Sequence, residues 1–376
     1  VCGRVAWLGP AAAWRGRATR TVDLGGRAVV PGLVDPHTHL LWAGDRYDDL
    51  EARRAGASYE EILAAGGGIR HTMRATSAAD RATLVRTARA RLAGLVASGA
   101  TTVEVKSGYG GTVAAEIASL EAIAELASHA RARVVPTLLV HVPDPDDREG
   151  HLRRVVDELL PEAARRGLAR RVDVFVETEA FTVEEAERVL RAALASGFDV
   201  VLHADQFHAI GGSELAVRLG ARSVDHLEAA GPAQVAALAC GGTIATLLPG
   251  ASLELGSAHA PGRALIDAGV PVAVGSDLNP GSSPVYATAL AAALAVRLCG
   301  LRPAEALVAA TANAAAALGL GDAGWLGPGA RGDLLVLPDP DPRAIVAGLG
   351  GPGPVEVWIA GRPVAQAEAA GPEGSG

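Results

Sequence analysis

Lysine is nearly missing from this sequence. Of its 34 lysine and arginine residues only Lys106 is a lysine, so almost every cation is an arginine. We read this as a bias of composition. Cysteine is scarce as well. Cys2, Cys240 and Cys299 are odd in number and far apart, which excludes a disulfide framework or a CxxC metal clip and fits a reducing compartment. There is no run of about 18 apolar residues to span a bilayer and no recognisable signal peptide, so the expected location is the cytoplasm. The chain opens inside what reads as a strand (VCGRVAWLGP), and we expect a few residues to precede it. Positive charge is in deficit: 34 basic against 42 acidic residues gives a net charge of −8. Such a chain lacks the basic face that nucleic acid requires. An anionic substrate would need local cations to hold it against the global charge. Charged residues are only 20% of the total and hydrophobic residues 49%, so a sizeable core is expected and disorder is not.

What is present is a steady alternation. Short β-branched runs near 29–37, 101–106, 133–141, 172–177, 199–204, 222–226, 243–248 and 271–276 read as buried parallel strands. Stretches rich in Ala, Leu, Arg and Glu lie between them with helical spacing. Ser58-x-x-Glu61 and Ser77-x-x-Asp80 read as capping boxes, and Thr182 as an N-cap. Eight βα units in series, each crossing over with the same hand, predict a closed α/β barrel of the (β/α)₈ TIM type over residues 29–324. Residues 1–28 and 325–376 are richer in Gly, Pro and Val. RGDLLVLP (331–338) and VEVWIAGRPV (355–364) read as antiparallel strands of a small composite β-sandwich built from both chain ends, with 365–376 as a loose tail. There is no internal repeat beyond the βα rhythm.

In such barrels the chemistry gathers at the C-terminal ends of the strands. Five of the ten histidines fall there: His37, His39, His141, His203 and His226. Glu104, Lys106, Tyr109, Glu177 and Asp277 fall there as well. His37 and His39 share one face of an extended strand, so both imidazoles can meet one metal ion. A lone HxH also fits two unrelated polar residues in a loop. The barrel frame, with His203 and Asp277 on the same rim, favours a mononuclear centre of His37, His39, His203 and Asp277, for which zinc and iron(II) are both suitable. A metal of this kind lowers the pKa of a bound water from about 15.7 towards about 7. Asp277 can then act as ligand and proton acceptor, and His226 as a second proton shuttle or electrophile. We expect Glu104 and Lys106 to pair inside the barrel mouth. Glu177 receives no role. His71, His208 and His259 read as structural.

The longer motifs narrow this further. VVPGLVDPHTHL (29–40) resembles the amidohydrolase superfamily. GDRYDDL (44–50), AAGGGIRHTMRATS (64–77), VEVKSGYG (103–110), LHADQ (202–206), VDHLE (224–228), LLPGASLELG (247–256) and SDLNPGSSP (276–284) together resemble its imidazolonepropionase family, in order, across about residues 25–365. The resemblance implies hydrolysis of 4-imidazolone-5-propanoate to N-formimino-L-glutamate in histidine degradation, with one zinc or iron ion per chain at the four ligands above. It implies a catalytic role for Gln206 beside Asp277 and His226. It assigns substrate contacts to Arg46, Tyr109, His141, Gln206, Asn279, Gly281 and Ser282, and it is compatible with a homodimer. The assignments have a physical sense. A propionate calls for the bidentate fork of Arg46, and Pro280-Gly281 shapes a turn whose backbone can approach a ligand closely. Water is expected to attack the ring carbon between the two nitrogens.

Three rival readings meet the same residues. A nucleobase deaminase often carries a glutamate three residues after the strand 5 histidine, where this chain has Gln206, which cannot titrate. A two-metal hydrolase calls for a modified lysine at the end of strand 4, and the one lysine is on strand 2. A non-catalytic barrel would have lost metal ligands, and none is lost.

Overall fold

Each of the eight expected β-branched runs contains a parallel strand, and these strands follow one another around the barrel in sequence order. The structure, a computed structural model, describes residues 2–364, so the expected tail at 365–376 lies outside the described residues. Strand β1 is Val29–Pro31 and β2 is Leu33–Asp35. They are followed by β3 (Ala100–Lys106), β4 (Arg133–Val140), β5 (Arg171–Val176), β6 (Asp199–Ala204), β7 (Ser223–His226), β8 (Ile244–Leu247) and β9 (Val272–Val274). β2 to β9 make one eight-stranded sheet in that order, each neighbour parallel to the last. The ring closes just beyond the last strand, where Asp277 N donates to His37 O at 3.0 Å and His39 N donates to Leu278 O at 3.0 Å. Asp35 adds a side-chain clasp at the same seam, accepting from Ser276 N at 3.0 Å and Thr288 Oγ1 at 2.8 Å.

The first barrel strand differs from expectation. The run 29–37 is broken at Gly32, and its first part belongs to the small sheet. A Cβ at position 32 would lie 2.2 Å from Thr101 Oγ1, and Gly32 N donates to Asp333 O at 2.9 Å. Only a glycine lets the backbone cross there from one sheet to the other. The small sheet is antiparallel, in the order β1, β10 (Leu334–Val336), β11 (Glu356–Ile359), β12 (Arg362–Pro363). It thus draws on both ends of the chain. Residues 2–28 add a bridge from Arg4 to Arg331 and backbone hydrogen bonds of Gly3 with Gly332, of Val5 with Gly329 and Ala330, and of Ala28 with Leu337 and Asp339. Most of that segment is otherwise exposed.

The helices pack outside the barrel and start where their caps dictate. Thr182 and Glu185 form a reciprocal capping box on the helix Val183–Ala195, and Ser58 with Glu61 does the same for the helix Tyr59–Ala64 (3.2 and 2.8 Å). The box expected at Ser77 does not form. Ser77 sits in the last turn of the helix Gly68–Ala78 and its hydroxyl donates to Gly110 O. Asp80 instead caps the next helix, Arg81–Ala97, by accepting from Thr83 N at 2.7 Å. Core side chains such as Leu33, Leu120, Val174 and Leu202 are fully buried, each worth roughly 1.5–3 kcal/mol of apolar transfer. This rigid frame aims the strand ends at one point.

Candidate metal centre

β2 stops at Asp35, and Pro36 carries the chain on in extended form, with Thr38 bridging Leu278 in parallel. Alternation turns Thr38 one way, where its hydroxyl donates to the Glu104 carbonyl, and both imidazoles the other way. His37 Nε2 and His39 Nε2 are 3.3 Å apart. His203, from β6, brings its Nε2 to 3.4 Å from His39 Nε2. Asp277 brings Oδ1 to 3.5 Å from His37 Nε2 and 3.4 Å from His39 Nε2. His226 closes β7, its ring centroid 5.3 Å from that of His203 and 5.7 Å from that of His37. All five side chains are buried.

This donor set fits a metal ion. The triples His37–His39–Asp277 and His37–His203–His226 each hold their donor atoms within 4.8 Å of one another. Burial, helped by the Lys106 charge, pushes the pKa of His37 well below the usual imidazole value and that of His39 to about 3. Burial takes His203 to about 4. These rings are therefore neutral at pH 7, the form that ligates. Asp277 Oδ2 is buried with no hydrogen-bond partner in the protein. A buried carboxylate oxygen left so is costly unless something else engages it.

Behind the ligands stands a row of carboxylates that the sequence reading missed. Asp225 Oδ2 is 2.6 Å from His37 Nδ1. Asp173 Oδ2 is 2.9 Å from His203 Nδ1, a contact just outside good hydrogen-bond geometry, and its Oδ1 accepts from His203 N at 3.1 Å. Each fixes which ring nitrogen faces the centre. Glu228 lies 3.4 Å from His226 Nδ1. Burial opposes a charged His226, but Glu228, Asp277 and Asp225 outweigh it and raise its pKa above the ordinary value. A charge inside the apolar run RVDVFV was a legible signal for Asp173. Glu104 and Lys106 pair as expected, at 3.0 Å, but deeper than the mouth, fully buried in the barrel.

Backbone strain collects on the same rim. Asp205, His226, Leu227 and Asp277 have φ of 53°, 86°, 72° and 51°. Left-handed conformations at non-glycine residues cost of order 1–3 kcal/mol each and tend to gather where function needs a special geometry.

The expected substrate residues line up around this centre to different degrees. Tyr109 and His141 pack beside it, with ring centroids 5.9 and 5.5 Å from His39. Burial, then the Asp277 charge, raises the Tyr109 pKa and keeps it a phenol, while burial keeps His141 neutral. Gln206 is nearly buried just past β6. Its loop is fastened by Glu177, which accepts from Phe207 N at 2.9 Å and His208 N at 3.1 Å. Glu177 thus has a structural task that its position alone did not reveal. Arg46 pairs through Nε with Asp49, and its Nη1 lies 3.4 Å from Thr72 Oγ1. Gly281 packs on its guanidinium. Asn279 braces its own turn. Its Oδ1 accepts from Gly281 N and Ser282 N, and its Nδ2 donates to Asp277 O and Ser282 Oγ, at 2.7–3.0 Å. The amide thus shapes the turn that carries Gly281 and Ser282 towards the centre. His71 is exposed. His208 meets Glu177, and His259 meets Ser252 Oγ at 2.8 Å.

The sequence profile of the Amidohydrolase family matches residues 48–365. An imidazolonepropionase of Deinococcus radiodurans is 60% identical over 96% of this chain and 89% of its own length. One from Symbiobacterium thermophilum is 48% identical over 86% of this chain and 78% of its own. Among solved structures, a triazine hydrolase variant superposes with a TM-score of 0.76 at 19% identity, covering 98% of this chain and 89% of that one. A zinc-bound adenosine deaminase from Xanthomonas campestris gives 0.67 at 21% identity, covering 90% and 80%. At these identities the two structures speak for the fold alone.

Proposed function

This chain belongs to the amidohydrolase family and, within it, to the imidazolonepropionases, and from that membership we infer that it hydrolyses 4-imidazolone-5-propanoate to N-formimino-L-glutamate in histidine degradation. It is a hydrolase acting on carbon–nitrogen bonds. The observation that supports a metal-assisted route is the convergence of three imidazole Nε2 atoms and Asp277 Oδ1 beside an Asp277 Oδ2 that has no protein partner.

We assign His37, His39, His203 and Asp277 as the residues that would hold one zinc or iron ion. Bound there, the ion supplies a water of lowered pKa and a Lewis acid next to the ring. The product fixes the bond that breaks. In a formimino group the carbon between the two nitrogens still carries both of them. The water oxygen must therefore end on the ring carbonyl carbon, and the bond from that carbon to its nitrogen is the one cut. Attack on the carbon between the nitrogens, expected from the sequence, is corrected by this balance.

Asp277 Oδ2 is the acceptor for a proton of the water and returns it to the departing nitrogen. The second proton leaves when the new carboxyl group ionises. His226, held towards its protonated form by Glu228, donates to the carbonyl oxygen as charge grows there. Arg46 takes the propionate, its guanidinium plane set by Asp49 and Gly281. Tyr109 and His141 add donors, and Gln206 and Ser282 meet the ring edge. Orientation is thus in place before the chemical step.

The test is direct. Loss of the ring's ultraviolet absorbance, with formiminoglutamate as product and with arrest by a strong chelator, is the expected result. No loss from protein holding one metal per chain would move the substrate to another cyclic amide. No helix among the described residues is long and apolar enough to cross a membrane. The proposal places the enzyme in the cytoplasm as a homodimer, to be checked by cell fractionation and by mass in solution.

A further inference from the structure

The mechanism above gives no task to the buried cation nearest the centre. Lys106 is fully buried inside the barrel. Its Nζ lies 2.7 Å from Asp173 Oδ2 and 3.0 Å from Glu104 Oε1, and 4.0 Å from Asp225 Oδ2. Those two aspartates are the ones that face His203 Nδ1 and His37 Nδ1. The same oxygen of each carboxylate looks towards both the ammonium and the histidine. The backbone of Lys106 also reaches the centre, since its N–H donates to Thr38 O at 3.1 Å, between the two strand 1 histidines. One residue therefore grips three of the four assigned ligands at one remove.

Composition makes the point sharper. Everywhere else in this chain a basic position is filled by arginine. Position 106 is the one place in the sequence where a lysine stands instead. Lysine is a compact point charge with three rotatable donors, whereas arginine is a planar fork of fixed geometry. The neighbouring cation shows the difference. Arg171 sends Nη2 to Glu104 and Nη1 to Ala317 O, reaching across the barrel floor. Lys106 instead puts one compact charge 2.7 Å from Asp173 Oδ2 and 4.0 Å from Asp225 Oδ2.

We propose that Lys106 is a positioning residue for the metal centre, its single ammonium holding Asp173 and Asp225 so that His203 and His37 present Nε2 to the ion. The proposal rests on the ligand assignment made above. A purely structural ion pair would stabilise the barrel without affecting how the folded protein holds a metal. A positioning role predicts weaker metal binding in protein that is still folded. Loss of an outer-shell partner typically lowers metal affinity about 10–100-fold.

The experiment uses the full chain stripped of metal and titrated with zinc against a chromophoric chelator, together with the visible spectrum of the cobalt-loaded protein. Lys106→Arg keeps the charge and changes its shape. The pair Lys106→Met with Glu104→Gln removes one charge of each sign and keeps the local balance. In folded protein, either change is expected to weaken zinc binding about 10-fold or more and to shift the cobalt band. Wild-type zinc affinity and an unchanged cobalt spectrum in both would overturn the proposal. His203→Ala separates the two levels of the argument. If it too keeps wild-type affinity, the ligand assignment fails. If it loses zinc while the Lys106 variants keep it, only the positioning role fails. Should neither variant fold, the wild type still decides. Being the only lysine, Lys106 gives a single side-chain signal in ¹⁵N-lysine-labelled protein. That signal shifts when zinc is added if the ammonium is coupled to the centre, and a signal unmoved by zinc overturns the idea.

Discussion

Gly281 lies against the guanidinium of Arg46, so closely that a Cβ built on the glycine would stand 3.0 Å from Arg46 Nη1. The turn after the last barrel strand and the loop after the first are thereby fitted to each other. Gly281→Ala should displace the guanidinium by a few tenths of an ångström. We expect kcat/KM to fall about 10-fold, equivalent to about 1.4 kcal/mol, mainly through KM. Steady-state kinetics showing a lower kcat at unchanged KM would count against Arg46 as the propionate clamp.

Asp49 holds Arg46 through Nε and also accepts from Gly68 N at 3.0 Å. Arg46→Ala and Asp49→Ala should each raise KM, and the double variant should be little worse than the worse single one. A double-mutant cycle in KM measures this. Additive losses would mean that the two residues act separately.

Asp277→Asn should abolish measurable turnover, because the amide cannot take a proton. His226→Asn should lower kcat about 10²–10⁴-fold, the usual range for a lost acid–base group. Metal content measured alongside separates a chemical defect from an empty site. Near-normal turnover in metal-loaded Asp277→Asn would remove its proton role.

Burial, then the nearby Glu228 charge, pushes the Cys299 thiol up to about 12. Cys2 and Cys240 are exposed. At pH 8 iodoacetamide should label Cys2 and Cys240 within minutes and spare Cys299 until denaturant is added. Peptide mass spectrometry reads the outcome, and fast labelling of native Cys299 would contradict its packing.

Asp322 accepts from Arg133 Nη1 at 2.6 Å and Nη2 at 3.0 Å, and from Arg4 at 3.2 Å. The Arg133 hydrogen bonds hold its carboxyl down at about 2, against 3.8 for a free one. The folded value is the lower of the two. The stabilisation is thus fully present above about pH 4 and is lost as pH falls towards 2. Asp322→Asn should unfold at lower urea than wild type at pH 7, and the gap should narrow at pH 3. A gap that stays constant would show that the ion pairs contribute nothing.

The barrel was legible because its strands are buried on both faces and read as unbroken β-branched runs. The convergence of His37, His39, His203 and Asp277 was legible because a polar residue at the end of such a run has few places to point. Partnership was not legible. Asp173 and Asp225 orient histidines from other strands, and no local pattern couples position 173 to 203 or 225 to 37. Ser77 carried a capping pattern that Asp80 fulfils instead, since the preceding helix runs through Ser77. Gly32 looked like one more residue of a strand. Only the contact with Thr101 explains why the run is cut there. Asn279 was placed on the correct turn, but the sequence could not say that its amide is taken up by its neighbours.

The seam of the barrel has a bearing on how the enzyme is made. The hydrogen bonds that join the first and last strands run from Asp277 N to His37 O and from His39 N to Leu278 O. The two histidines assigned as ligands on the first strand therefore leave the ribosome long before Asp277, the residue assigned to complete the set. On that assignment a nascent chain would offer a metal two histidines at most, and the full donor set would exist only after the ring has shut. Metal capture in the cell would then act as a latch set at the end of synthesis, and a chain interrupted before the last strand would be released empty.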